Sequence, residues 1–247
     1  MKNIFVLFIF SFFYASFLYS NDTNVPKADW SIFVFLNGDN NLDSAGDDDI
    51  NEMERVGSTE NINVVVQQDK LGSTGTKRYL IQKDENPNVI NSTIIEDLPE
   101  VDMGDWSELV NFIKWGMQEY PANHYFIIIW NHGSGWRNYD INSLRGVSYD
   151  DTNRNHIRAS DLTIAFSALK KINNNNAIDL IGFDACLMGV AEIMEQLYGY
   201  TNYVIGSEQT EPFDGWPYEE FLAPLMKNPK MNSIELGTII VNEYGKS

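Results

Sequence analysis

Five short, nearly uninterrupted apolar runs punctuate this chain, and between them lie stretches whose apolar residues recur at helical spacing. The runs are Ser31-Ile-Phe-Val-Phe-Leu36, Ile62-Asn-Val-Val-Val-Gln67, Tyr125-Phe-Ile-Ile-Ile-Trp130, Ile178-Asp-Leu-Ile-Gly-Phe183 and Tyr203-Val-Ile-Gly206. A strand that is apolar at successive positions must be covered on both faces, which is the habit of parallel sheets. Parallel neighbours in turn require a crossover, and the intervening segments 48–56, 106–120, 160–172, 190–198 and 218–226 have the spacing of helices. The pattern predicts an α/β fold with a mainly parallel central sheet between helical layers. Residues 77–81 and 91–97 add an expected antiparallel pair at one edge.

Residues 1–20 read as a signal peptide, since Lys2 precedes an apolar run from Ile4 to Leu18 and small Ser20 precedes polar Asn21-Asp22. The run is short for a membrane span, and an uncleaved anchor is the alternative. A secreted or periplasmic protein is expected, with a short linker at 21–29 and one domain at 30–247. With 43% hydrophobic residues the chain can close a large core. Its net charge of −18 speaks against nucleic acid and, once the signal is removed, against anionic membranes. The same charge suits cationic substrates.

Ligand crevices in open α/β sheets lie beyond the carboxyl ends of the strands. Four runs end there in polar clusters: Asn37–Leu42, Asn131–Trp136, Asp184–Gly189 and Ser207–Pro212. The second holds His132 and the third holds Cys186, the sole cysteine. An exported chain with a single cysteine has no internal disulfide partner for it, so the thiol is either buried and inert or used. A histidine and a thiol at the same end of neighbouring strands can meet, the imidazole accepting the thiol proton. Backbone amides of Gly133 and Cys186 are the candidate oxyanion donors, Gly133 allowing close approach. Cys186 also precedes a helical stretch from about Val190, whose amide dipoles are expected to favour a thiolate. His124, before a strand, and His156, in a polar loop, fit surface roles.

Several segments in order resemble the clostripain family of cysteine peptidases, which groups with caspases, legumains and gingipains. They are Leu36-Asn-Gly-Asp-Asn-Asn-Leu42, Val65-Val-Gln-Gln-Asp69, Asp102-Met-Gly-Asp105, Trp130-Asn-His-Gly133, Gly182-Phe-Asp-Ala-Cys-Leu-Met-Gly189 and Pro217-Tyr218. A histidine about 50 residues upstream of the cysteine also suits the caspase-like pattern. The resemblance implies a caspase-like three-layer α/β/α sandwich, Cys186 as nucleophile and His132 as general base and later proton donor. It implies cleavage of protein or peptide substrates after Arg or Lys, with Asp184 lining the pocket for the basic side chain. Ser207 and Glu208 are secondary pocket candidates. Self-processing between His132 and Cys186 is also implied, with Arg145, Arg158 and Arg154 as candidate sites in what reads as an exposed polar loop.

The chemistry requires no cofactor by sequence, while the resemblance leaves calcium possible without assigned ligands. Asp39–Asp49 and the segment from Asp151 lack EF-hand spacing, with Ser44 and His156 where glycine belongs. Gly133-Ser134-Gly135 falls short of a serine-hydrolase elbow. A non-catalytic secreted binding domain with a peptidase-like fold is the remaining alternative. The chain stops in a helical stretch at Tyr244–Ser247 where family members continue, so a fragment or a naturally short form is expected.

Overall fold

The computed structural model describes residues 27–72, 75–136 and 145–247. The signal peptide expected at 1–20 and most of the linker at 21–29 lie outside them. Strand β1 (Ala28–Gly38) starts two residues before the expected domain boundary and runs through the middle of a seven-stranded sheet. Around it lie β2 (Ile62–Lys70), β3 (Lys77–Leu80), β4 (Thr93–Asp97), β5 (Ala122–Trp130), β8 (Ile178–Asp184) and β9 (Thr201–Ile205), in the order β4-β3-β2-β1-β5-β8-β9. Strands β2, β1, β5, β8 and β9 are mutually parallel, and β3 and β4 form the antiparallel edge. The intervening β6 (Gly146–Asp150) and β7 (Asn155–Arg158) form a separate hairpin.

Alternate side chains of each central strand enter opposite cores, which explains the uninterrupted apolar runs. Phe33, Phe35, Ile127, Ile129, Ile181 and Phe183 face one core with α2 (Trp106–Glu119), α3 (Ala159–Ile172) and α4 (Ala191–Leu197). Ile32, Val34, Leu36, Phe126, Ile128 and Leu180 face the other, with α1 (Asp43–Glu54), α5 (Tyr218–Lys227) and α6 (Ser233–Tyr244). Burying one such aliphatic or aromatic side chain contributes about 1.5–3 kcal/mol, so the two cores dominate the fold's stability. The result is the expected three-layer α/β/α sandwich.

Local chemistry sets the helix ends. Asp105 caps α2 by accepting from the Ser107 amide at 2.8 Å, and Asn232 caps α6 with Glu235 returning to the Asn232 amide at 2.9 Å. Helix α1 begins five residues before its expected start at 48. Its acidic first turns are held by Lys70, whose Nζ lies 3.3 Å from Asp43 and 2.6 Å from Asp47.

The hairpin corrects the reading of 145–158 as an exposed loop. Each of its strands sends one apolar residue, Val147 or Ile157, into the core. His156 is therefore no loop residue: it stacks on Tyr149 with ring centroids 5.1 Å apart. His124 lies within β5 and meets Asp179 at 3.0 Å.

Candidate active site

The parallel strands β1, β5 and β8 end side by side, with Leu36 opposite Trp130 and Trp130 opposite Asp184. That register brings the segments that follow them to one cleft, lined by Asn41, His132, Asp184, Cys186, Glu211 and Gly215 among others. Asn131 fixes the corner. Its side-chain amide donates to the carbonyls of Asn37 and Tyr149, its Oδ1 accepts from the Tyr149 amide at 2.9 Å, and its own amide donates to the Asp184 carbonyl at 3.2 Å. One residue further on, His132 is half-buried.

His132 Nε2 contacts Asn41 Oδ1 at 2.8 Å. A carboxamide oxygen only accepts, so Nε2 carries the proton and Nδ1 is left as the basic nitrogen. Burial holds the imidazole below its ordinary pKa, with Asp151 partly opposing, so the ring is neutral near pH 7. A neutral ring of this tautomer can take up a thiol proton and later return it to a leaving group.

Cys186 is half-buried in the same cleft. Its sulfur accepts from the Glu211 amide at 3.2 Å. Helix α4 begins at Ala191, close to its expected start, with Val190 as its N-cap, and the backbone amide that reaches the sulfur comes from the loop beyond β9. Gly133 packs directly against the Cys186 backbone, where any Cβ would collide with the Cys186 carbonyl oxygen. The two candidate oxyanion amides therefore belong to adjoining segments. Ser134 is engaged with the hairpin, its Oγ lying 2.6 Å from the Tyr149 hydroxyl and accepting from the Gly146 amide at 3.1 Å.

Asp184 closes the floor of the cleft. It is 5% exposed and accepts from the Tyr218 hydroxyl at 2.9 Å and the Trp216 amide at 3.3 Å. Two glycines make room for this arrangement. Gly182 lets the Trp216 indole lie on β8, since a Cβ there would stand 2.7 Å from the ring. Gly215 adopts φ +60° beside the Asp184 carboxylate.

Glu211 is the acidic partner that sequence reasoning missed. Desolvation raises its carboxyl to about 8, with Asp184 adding repulsion, and desolvation raises Asp184 itself to about 6. Burial is thus the first cause of the rise in both, and the repulsion between the two carboxylates adds to it at Glu211. Asp49, buried on α1 and accepting from the Trp130 indole at 2.5 Å, is also pushed well up by burial and then by Asp184. Glu211 belongs to the Ser207–Pro212 cluster that the strand-end rule singled out, three residues beyond the candidate Glu208.

The remaining candidates fall elsewhere. Ser207 caps its own turn, its hydroxyl accepting from the Gln209 amide at 3.0 Å, and Glu208 lines a separate pocket with Trp136 and Leu187. Neither lines the cleft of Cys186 and His132. Arg145 is exposed and leads into β6. Arg154 occupies the hairpin turn at φ +55°, and Arg158 ends β7, where the Ala159 amide donates to the Arg145 carbonyl at 3.3 Å.

A second acidic group lies at the same end of the sheet. Asp39, Asp69, Glu100 and Asp150 each offer a carboxylate oxygen, and these atoms lie within 4.8 Å of one another. Hard oxygen donors at that spacing suit calcium better than a softer ion, because donors on opposite sides of a Ca²⁺ ion are about 4.6–5.2 Å apart.

An α/β/α sandwich that sets a thiol and a neutral imidazole together beyond parallel strands defines the architecture of caspase-like cysteine peptidases. The clostripain family model matches residues 34–247, and the chain belongs to that family. It is 29% identical to clostripain of Hathewaya histolytica over 189 residues, 67% of this chain and 35% of that protein. A secreted C11 cysteine protease of Bacteroides thetaiotaomicron, solved with an irreversible peptide inhibitor, superposes with a TM-score of 0.70 at 27% identity over 88% of this chain and 58% of that one. An inactive zymogen C11 protease of Parabacteroides distasonis shares the fold with a TM-score of 0.69 at 22% identity, covering 90% of this chain and 60% of that one. This chain thus spans about a third of clostripain and under two thirds of either solved relative. No helix among the described residues is long and apolar enough to cross a membrane.

Proposed function

We propose that this protein is an exported cysteine endopeptidase that cleaves after Arg or Lys, using Cys186 and His132. The observation that carries the reading is the Asp184–Glu211 carboxyl pair at the floor of the cleft that also holds the thiol and the imidazole. A guanidinium or ammonium entering the cleft meets two desolvated carboxyls, and a neutral side chain leaves them uncompensated. Family membership and the inhibitor-bound Bacteroides relative support peptide cleavage by a thiol.

In the proposed reaction His132 Nδ1 takes the Cys186 proton and the thiolate attacks the carbonyl carbon. The Gly133 and Cys186 amides stabilise the resulting oxyanion. The imidazolium gives its proton to the leaving amine as the C–N bond breaks, and water then releases the acyl group by the reverse proton path. Asn41 keeps the proton on Nε2 throughout. Residues 1–20 act as the export signal.

Self-processing follows from the same specificity. All three arginines are exposed, and Arg145 is the preferred site because it precedes β6 rather than lying within the hairpin ladder, whereas Arg158 pairs with Gly146 and caps α3. Arg154 is held in a tight turn.

Hydrolysis of fluorogenic peptides ending in Arg, Lys, Asp or Leu tests the proposal. Cleavage is expected only after basic residues, and Cys186→Ala is expected to lower it by more than about 10⁴-fold. Equal cleavage after Leu would sink the specificity. Full activity in Cys186→Ala would sink the mechanism. The same variant is expected to stay a single chain, and its spontaneous conversion to two chains would refute self-processing.

A further inference from the structure

Two indoles next to Asp184 donate their N–H to a carboxyl. Trp216 Nε1 donates to Glu211 at 3.4 Å, and Trp130 Nε1 donates to Asp49 at 2.5 Å. Glu211 itself lines the cleft, whereas Asp49 lies behind it on α1 and is 5% exposed. Burial first, and the charge of Asp184 second, push the Asp49 carboxyl well above the ordinary range, so its placement is unfavourable for the fold. A neutral acceptor suffices elsewhere. Trp30, which is fully buried, donates its indole N–H to the Met231 carbonyl at 3.1 Å. Satisfying an indole therefore does not require a buried acid set against a second acid, and the position of Asp49 points to what its indole does.

Trp130 ends β5 directly opposite Asp184 on β8, and register partners on neighbouring strands project to the same face of the sheet. Both residues line the cleft. An indole in that place displaces water from the carboxylate, and a charge-assisted hydrogen bond strengthens as water leaves. The ring is also an attractive surface for a guanidinium. Both effects favour a cationic side chain over an aliphatic one, and both require the ring to be held still. One turn on from Asp49, Glu52 accepts from the Tyr218 amide at 3.0 Å, and the Tyr218 hydroxyl donates to Asp184. Helix α1 thus backs Asp184 through two residues, Trp130 and Tyr218.

On the reading that Asp184 seats the substrate's Arg or Lys, we infer that Asp49 is a positioning residue for selectivity: it fixes the Trp130 indole beside Asp184 and so sets how tightly the cleft holds a basic side chain. Asp49 acts only through the indole, since it does not itself line the cleft.

Binding of fluorescently labelled Arg and Leu peptides to the inert Cys186→Ala chain, read by anisotropy, tests this without turnover. Adding Asp49→Leu, which removes the acceptor, is expected to weaken the Arg peptide by roughly tenfold and the Leu peptide far less, so that their ratio falls. Asp49→Asn keeps an acceptor for the indole and is expected to recover most of that loss. Trp130→Phe keeps a ring without the N–H and is expected to reproduce it. Combining Asp49→Leu with Trp130→Phe is expected to weaken binding little beyond either change alone. Asp48→Asn, at an exposed neighbour on α1, is expected to leave both affinities as they are. With the thiol restored, Asp49→Leu is expected to raise KM for Arg peptides more than it lowers kcat. An Arg-to-Leu ratio unchanged in both Asp49→Leu and Trp130→Phe overturns the positioning role, even where Tm falls. A loss confined to kcat overturns it too, making Asp49 an anchor of the His132 segment. Equal binding of Arg and Leu peptides by the chain that retains Asp49 overturns the basic-residue reading and this role with it.

Discussion

Two groups of acidic side chains lie beyond the carboxyl ends of the parallel strands, and they differ in access. Asp184 and Glu211 line a cleft that opens to solvent beside Cys186, whereas Asp39, Asp69 and Asp150 are enclosed beneath loops and the hairpin. Burial is the first cause of the raised carboxyls in both, with Asp69 and Glu211 each pushed to about 8. Electrostatics therefore does not distinguish them. The distinction is access: Asp184 and Glu211 line the cleft that holds Cys186, and Asp39, Asp69 and Asp150 do not.

Neutralising one carboxyl in each group is the sharpest way to break this comparison. Asp184→Asn is expected to lower kcat/KM for Arg peptides by roughly 10²–10³-fold, the scale of unpairing a desolvated charge. The ratio of Arg to Leu cleavage should collapse with it. Asp69→Asn should leave that ratio as in wild type, because Asp69 does not line the cleft of Cys186. A collapse of selectivity in Asp69→Asn would show that the two groups are one site.

The next largest effect is on stability against pH. Native Glu211 keeps its proton up to about pH 8, whereas the unfolded residue loses it near its ordinary value of about 4.3. Between these values the native state binds more protons, so stability falls as pH rises. Glu211→Gln removes this residue's share of the dependence, and its Tm advantage over wild type is expected to grow from pH 4.5 to 8 by at most about 3–5 °C per pH unit. Thermal unfolding across that range checks the sign. An advantage that shrank with pH would mean that the native cleft holds Glu211 ionised.

The smallest effect expected is at the joint between the two regions. Asn41→Ala removes the acceptor that fixes His132, and a loss of roughly tenfold or more in kcat with KM little changed is the scale for an orienting partner. A change confined to KM would instead make Asn41 a substrate contact.

Much of the sheet was legible because each buried parallel strand leaves an unbroken apolar run, and the edge pair and strand ends followed from the same periodicity. The meeting of His132 with Cys186 in one cleft was legible for that reason. The hairpin was not, because strands of five and four residues with a single inward apolar side chain each leave no pattern. Glu211 was passed over because its chain doubles back to the cleft only after Ser207 and Glu208 have turned away. The four clustered carboxylates, Asp39, Asp69, Glu100 and Asp150, lie far apart in sequence and meet only through the β1–β2 register, which sets Asn37 opposite Asp69, and through the hairpin that delivers Asp150. No local spacing records such a site.

The pairing of β5 with β8 has a consequence for the integrity of the polypeptide. Five residue pairs, from Phe126 opposite Leu180 to Trp130 opposite Asp184, join these strands across the interval that contains Arg145. Their alignment is secured by lateral hydrogen bonds and shared cores, so a break at that arginine would divide the proposed base and nucleophile between two polypeptides without separating them. Such a molecule would migrate as two bands when denatured and as one particle when native, its catalytic pair held together by the sheet.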